Sequence, residues 1–152
     1  MLVDQLLAAL FRLDPSAATF TSIHLRILRV CLQQRLYTQA CLLLDKDILS
    51  FPTRESGAPP EELYPCSKHR FSSGYITIRS GHSAKVSVGD VLEFYLLGAM
   101  AFIALARWSA AKTLLEYVLS APSQNAPTGI MVEAYKKWVF VSLLTDGKVR
   151  IS

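Results

Sequence analysis

The sequence predicts an all-α protein, an αα-hairpin solenoid of stacked helix pairs with one long irregular loop. Three observations support this prediction. Apolar residues recur at three-to-four spacing on both sides of the loop, prolines and glycines concentrate between about residues 50 and 89, and one helix-pair segment is repeated. At 152 residues, of which 51% are apolar and 18% charged, the chain fits a single domain, 1–152, that is apolar enough to need a partner.

The first fifty residues predict an N-terminal amphipathic helix and one helix pair. Asp4 stands where a secretory signal would carry a basic residue, so we interpret the stretch 2–13 as part of the fold. The pair occupies about 15–49. Its first helix is expected to begin at the Asp-Pro step at 14–15 or slightly later, near 19–22, and its second helix to run over 37–49.

The loop is predicted over about 50–89, where four of the seven prolines and four of the seven glycines fall. A structureless segment of this length is uncommon inside a compact domain, so part of it should have structure of its own. Tyr75, Ile76, Thr77 and Ile78 favour β conformation, and a short extended piece is expected there.

The second helix pair is predicted over about 90–121, followed by a last helix over about 128–144. Asp90 and Glu93 have the spacing of a capping box and are expected to open the pair. The first helix of the pair is apolar on nearly every side and is therefore expected to be covered all round. In the last helix, one face is predicted to carry Glu133, Lys136, Lys137 and Phe140, and the other to carry Met131, Ala134, Tyr135, Trp138 and Ser142. Lys136, Lys137 and Trp138 are candidate partner contacts.

Residues 35–52 repeat as residues 105–122 at an offset of 70, about twice the 34-residue period of tetratricopeptide repeats. The second copy predicts tetratricopeptide-like packing: small residues allow close helix approach and a proline ends the hairpin. The structural residues of this repeat are Gly98, Ala101, Ala110, Leu114 and Pro122. The alternative is a chance match between two ordinary amphipathic helix pairs.

Catalytic and cofactor-binding patterns are missing from the sequence. It contains no phosphate-binding glycine loop and no serine-hydrolase elbow, so we predict no enzyme activity, no cofactor and no small-molecule substrate. Cys66, His69 and His82 come nearest to a zinc site but lack a fourth ligand. Cys31 and Cys41 are predicted to be reduced core residues, which indicates an intracellular protein.

The net charge of +4 is dispersed in small groups, whereas nucleic-acid binders generally cluster it on one face. The longest apolar run without a charge, 94–106, is shorter than the about 20 residues that span a bilayer. We therefore expect neither a nucleic-acid nor a membrane partner.

Two segments carry a family resemblance. Residues 91–122, VLEFYLLGAMAFIALARWSAAKTLLEYVLSAP, and 131–149, MVEAYKKWVFVSLLTDGKV, resemble the subunit 3 family of the COP9 signalosome, and YITIRSGHSAK, 75–85, resembles its fungal form. The resemblance implies a non-catalytic subunit of the complex that removes a ubiquitin-like modifier from cullin ubiquitin ligases, present in nucleus and cytoplasm. It implies other subunits as partners, and a later winged-helix assembly module (the PCI domain) that this chain is expected not to reach.

Two other functions remain open at this point. One is a nucleic-acid-binding or mRNA-export adaptor built on similar repeats, which a clustered basic ridge would favour. The other is an independent peptide-binding tetratricopeptide adaptor, which would need a concave face with polar clamp residues.

Overall fold

The computed structural model describes residues 2–52, 72–78, 80–122 and 128–147. Within these ranges the only regular elements are helices, so the all-α prediction is confirmed. The α-helices are α1 (Leu2–Leu13), α2 (Ser22–Gln33), α3 (Tyr37–Leu44), α4 (Val88–Ala104), α5 (Trp108–Leu119) and α6 (Gly129–Asp146), and a 3₁₀ turn covers Ser72–Gly74.

The helices pack as two hairpins and a last helix. α2 pairs with α3, α4 pairs with α5, α4 also contacts both helices of the first hairpin, and α6 contacts both helices of the second. The largest core cluster joins α1 to α4 and contains Leu10, Phe20, Ile27, Leu28 and Phe94, each 1% exposed or less. Stacked hairpins thus account for the core, while the tetratricopeptide-like form of the stack remains a prediction.

The two hairpin turns are built alike. In the first turn, Gln34, Arg35 and Leu36 donate their N–H groups to the carbonyls of Val30, Leu32 and Cys31. In the second, residues 105, 106 and 107 donate to 101, 103 and 102, and the middle residue of each turn has positive φ, 57° at Arg35 and 55° at Ala106. Equivalent residues therefore differ by 71, not by the predicted 70. The predicted alignment of the two copies was therefore wrong by one residue. Offsets of 70 and 71 both place Ala on Ala and Leu on Leu in the second helices, whereas the hydrogen bonds of the turns correspond only at 71.

Two predicted helix boundaries are also wrong. α3 ends at Leu44 rather than at Leu49, because the N–H groups of Leu49 and Ser50 donate to the carbonyl of Ala18 and draw the chain away from the helix. α4 begins earlier than predicted, since the capping box is formed by Ser87 and Asp90 rather than by Asp90 and Glu93. α6 ends before Gly147, whose φ of 65° places it in the left-handed conformation typical of a residue that ends a helix.

The junction between α1 and α2 is held by Asp14, which is 1% exposed. Its carboxylate accepts hydrogen bonds from the N–H and hydroxyl of Ser16 and from the N–H of Thr19. Burial by itself raises the pKa of Asp14, but these hydrogen bonds and one from Ser72 outweigh it, so the pKa lies below its usual value. The carboxylate is thus kept ionised inside the fold.

Part of the predicted loop packs across this junction. Thr19 Oγ1 and Ser72 Oγ are 2.8 Å apart, and Tyr75 donates its hydroxyl to the carbonyl of Leu13 at 2.7 Å. The backbone at 75–78 is turn and bend rather than the expected extended piece, because the N–H groups of Tyr75 and Ile76 donate to the carbonyl of Ser72. Local turn bonds and burial of Ile76 override the β propensity. Residues 53–71 of the predicted loop lie outside the described residues.

Candidate protein-binding surfaces

The described residues offer no metal site. They contain no group of three or more His, Cys, Asp or Glu side chains that could hold a metal ion. Of the zinc candidates His82 is exposed, and Cys66 and His69 lie outside the described residues. No helix in the described ranges has both the length and the apolar character to cross a membrane.

The two described cysteines are buried, as predicted for core residues. Burial raises the pKa of the Cys31 thiol, and the charge of Asp4 raises it further. Burial also raises the pKa of the Cys41 thiol, although Arg107 works in the opposite direction. Both groups are therefore protonated thiols near neutral pH, and both are buried, unlike the exposed thiolates that act as nucleophiles.

The five repeat residues occupy different environments. Gly98 and Ala101 are buried on α4, and a Cβ atom built on Gly98 would lie 2.6 Å from Leu44 Cδ2 and 3.0 Å from Leu114 Cδ1. Leu114 is half-buried and packs at the same crossing. The fully buried alanine of α5 is Ala111, whereas Ala110 is half-buried in a surface groove and Pro122 is exposed. The buried alanine of the repeat is therefore Ala111 and not the predicted Ala110, as the corrected offset of 71 from Ala40 requires.

An apolar surface depression runs between α4 and α6. This α4–α6 groove has a volume of about 350 Å³ and is lined by Met100, Ile103, Ala104, Lys136, Lys137 and Phe140. Its apolar side chains reach water, since Phe140 is 59% and Met100 37% exposed. The groove is thus a preformed apolar strip on the surface of the stack.

Two lysines form the charged rim of the groove. Lys136 Nζ lies 2.8 Å from Glu133 Oε1 and Lys137 Nζ lies 3.1 Å from Glu133 Oε2, so both ammonium groups share one carboxylate. Hydrogen bonds from Lys136 and then from Lys137 lower the pKa of Glu133. The predicted face of Glu133, Lys136, Lys137 and Phe140 is confirmed by these contacts and by the groove lining.

Trp138, the third candidate partner contact, lies elsewhere. Its indole N–H donates to Glu116 Oε1 on α5 at 3.2 Å, and its ring packs half-buried in the cluster between α5 and α6. The structure therefore brings Lys136 and Lys137 together and places Trp138 on a different side of α6. Trp108 is likewise half-buried in that cluster.

The surface of α6 is apolar beyond the groove. Val132, Tyr135, Leu143 and Leu144 are each between 41% and 52% exposed, while Ala134 and Val141 are fully buried against the stack. A helix with apolar residues on most of its faces is stable when it is covered on most of its faces. The exposed side of α6 is therefore a candidate interface.

A second, more polar groove lies beside the short helix α3. This α3–α5 groove, about 570 Å³, is lined by residues 44–49 and by Phe94, Tyr95, Phe102, Arg107, Ala110, Thr113, Leu114 and Tyr117. Arg107 pairs with Asp45 at 2.9 Å across its edge, and the Tyr95 and Tyr117 rings meet edge to face with centroids 5.5 Å apart. One wall of this groove is the chain that follows the end of α3, residues 45–49, and the opposite wall includes α5, which continues beyond that point.

The exposure of Met100 and Ile103 to solvent was not predicted from the sequence. Because α4 is apolar on nearly every side, we expected the helix to be covered all round. The structure leaves the side of α4 next to α6 open to solvent. Helical periodicity cannot reveal this opening, because the opening depends on how α4 and α6 pack against each other.

Comparison with known proteins gives a family match over nearly the whole chain. Residues 2–151 match a family model described as COP9 signalosome complex subunit 3, N-terminal helical repeats. Proteins named COP9 signalosome complex subunit 3 are 41% identical over 141 residues in Emericella nidulans and 30% identical over 148 residues in Neurospora crassa. The one from Arabidopsis thaliana is 27% identical over 146 residues.

These alignments cover 93%, 96% and 96% of this chain, respectively, but only 28%, 29% and 26% of the relatives. The chain therefore spans between a quarter and three tenths of the length of the curated relatives it matches.

Proposed function

This chain belongs to the family of the N-terminal helical repeats of COP9 signalosome complex subunit 3, and we propose that it acts as a non-catalytic scaffold of that complex. The complex deconjugates a ubiquitin-like modifier from cullin ubiquitin ligases. In this proposal the chain binds other subunits through the surfaces of its helical repeats, of tetratricopeptide-like form, and is present in nucleus and cytoplasm.

The observation that carries the scaffold role is the exposed apolar surface of α6 and the adjoining α4–α6 groove. Phe140, Leu143 and Leu144 are each half or more exposed, although the same helix also contributes fully buried residues to the core. Contiguous exposed apolar surface of this kind marks sites that another protein covers.

The nucleic-acid adaptor is the weaker alternative because three basic side chains of the stack are each paired with a carboxylate. Arg29 pairs with Glu93 at 2.7 Å, Arg107 with Asp45 at 2.9 Å and Lys112 with Asp146 at 2.7 Å. A phosphate-binding ridge needs uncompensated charge on one face.

Affinity purification of the tagged chain from cells of its source tests the proposal. Signalosome subunits should be enriched over a tag-only control, as measured by mass spectrometry. The variant Leu143→Asp should reduce their recovery, because it places a charge in the apolar surface of α6, while Leu42→Asp on α3 serves as a control of similar exposure, 54% against 50%. Recovery of no signalosome subunit above the control would contradict the proposal.

The non-catalytic part of the proposal has its own assay. The purified chain, incubated with a modified cullin, should release no modifier, whereas the assembled complex should release it. Release by the chain alone would show that the chain is an enzyme.

A further inference from the structure

We propose that the α4–α6 groove binds an acidic amphipathic helix of another protein subunit. This inference deepens the proposed function and rests on it. The groove has an apolar floor made of Met100, Ile103 and Phe140, and Lys136 and Lys137 flank that floor. None of the lining residues carries a negative charge.

The apolar floor determines the first property of the occupant. A volume of about 350 Å³ lies at the lower end of the range of about 300–1,000 Å³ for ligand pockets, so a few aliphatic side chains would fill it. Methionine and phenylalanine suit such an anchor site, because the flexible Met100 side chain adapts its shape and Phe140 offers a large apolar area.

The two flanking helices favour a helical occupant over an extended one. An extended peptide would gain no backbone hydrogen bonds from the groove, because α4 and α6 use their backbone groups internally. A helix satisfies its own backbone and inserts side chains at three-to-four spacing between two neighbouring helices. The groove therefore fits the helix-in-groove mode of recognition.

The rim determines the charge of the occupant. Lys136 and Lys137 share the carboxylate of Glu133, so the three side chains together carry a net charge of +1. Lys136 is 65% exposed, which leaves its ammonium group accessible to an incoming carboxylate. Glu or Asp residues beside the apolar stripe of the occupant would complement this charge, and basic residues there would be repelled.

Two labelled peptides of about 18 residues test the chemistry directly by fluorescence anisotropy. One carries Leu at i, i+3, i+4 and i+7 with Glu on its flanks, and the other carries Lys at every Glu position. The chain should bind the acidic peptide about tenfold more tightly at low salt, since two lysines contribute modestly each. Equal affinity for the two peptides would overturn the inference.

Variants locate the binding on the groove. Phe140→Ala should weaken binding of the acidic peptide by about tenfold or more. Lys136→Glu combined with Lys137→Glu should make the chain prefer the basic peptide over the acidic one. Leu42→Ala, 54% exposed on α3 and outside the groove, should leave affinity unchanged. Circular dichroism confirms that each variant is folded. A loss as large at Leu42 as at Phe140 would mean that binding is unspecific.

Photo-crosslinking from position 140 identifies the occupant within the assembled complex. The adduct of a Phe140→benzoylphenylalanine variant should map to an acidic amphipathic segment of another signalosome subunit. An adduct on a second copy of this chain, or on a segment without carboxylates, would overturn the inference while the co-purified subunits would still support the proposed function. If no subunit co-purifies, the proposed function itself fails.

Discussion

The α2–α3 and α4–α5 hairpins share their turn down to individual hydrogen bonds, yet α3 ends at Leu44 whereas α5 continues to Leu119. At the offset of 71, Leu115 of α5 corresponds to Leu44 of α3, and Val118 corresponds to Asp47. Leu115 and Val118 are fully buried, Leu44 is half-buried and Asp47 is exposed. The turn is thus common to both hairpins, and the length of the second helix is not.

The difference shows that separate forces determine the two ends of each second helix. The turn depends on three local hydrogen bonds and one residue of positive φ, so it recurs in both hairpins. The far end depends on tertiary contacts. In α3 the polar residues Asp45, Lys46 and Asp47 stay exposed, and Leu49 and Ser50 bond to Ala18 instead of continuing the helix. Four changes test this comparison, given from the largest expected effect to the smallest.

Truncation of the corresponding leucines should affect the two hairpins unequally. Leu115→Ala should lower the free energy of unfolding by about 2–5 kcal/mol, because it opens a cavity at a fully buried site. Leu44→Ala should cost clearly less, since Leu44 is half-buried and its surroundings can relax. Urea denaturation measures both variants. Equal losses would mean that the two second helices contribute equally to the core.

Lowering the pH should destabilise the first hairpin through His24, which corresponds to Tyr95 in the second. Thr21 donates its N–H to His24 Nδ1 at 3.1 Å, and burial lowers the pKa of His24 to about 4 despite the opposing charge of Asp14. The unfolded state binds the proton near pH 6.5, so stability is complete above that pH and is lost as the pH falls towards 4. The loss should reach about 3 kcal/mol.

Urea denaturation at pH 7 and pH 5 measures the first part of this loss, about 2 kcal/mol. His82→Gln, at an exposed site, should keep the pH dependence, and His24→Phe should remove most of it. If the stability of the His24→Phe variant fell with pH as steeply as that of the unchanged chain, another group would be responsible.

Gly98→Leu should destabilise the contact between the hairpins by about 1–3 kcal/mol through overpacking. The new side chain would meet Leu44 of the first hairpin and Leu114 of the second at once. Gly98→Ala should cost less, because the tips of those leucine side chains can move. Thermal denaturation compares the two variants, and an unchanged melting temperature for Gly98→Leu would show that the hairpins separate there at no cost.

Glycine at the centre of either turn should stabilise the protein slightly and equally. Arg35→Gly and Ala106→Gly each remove the strain of a non-glycine residue at positive φ. The backbone entropy that glycine loses on folding offsets part of this effect, so the free energy of unfolding should rise by on the order of 0.5 kcal/mol. Ala8→Gly, at an exposed site inside α1, should instead destabilise by about 1 kcal/mol. A gain at only one of the two turns would contradict their equivalence.

The helical class and the hairpin order were predictable because they follow from local periodicity. The face of Glu133, Lys136, Lys137 and Phe140 was predictable for the same reason, since spacing along one helix fixes which side chains share a side. The start of α4 was also within reach, because Ser87 and Asp90 have the capping-box spacing in the sequence itself.

Other features depend on contacts that sequence spacing does not contain. The end of α3 depends on hydrogen bonds from Leu49 and Ser50 to Ala18, about thirty residues earlier. The turn at residues 75–78 depends on burial of Ile76 in addition to its local hydrogen bonds. The exposure of Met100 depends on how α6 packs against α4, which leaves a groove between the two helices.

The bonds from Tyr75 and Ser72 to the α1–α2 junction have a consequence for the order of folding. Thr19 and Ser72 are 53 residues apart and Leu13 and Tyr75 are 62 apart, so during synthesis the junction remains incomplete until both later residues have emerged. The α4–α5 turn closes with bonds spanning five residues or fewer. Because short loops close at lower entropic cost, the second hairpin can form without waiting for distant segments. The N-terminal helix is made first and becomes anchored late.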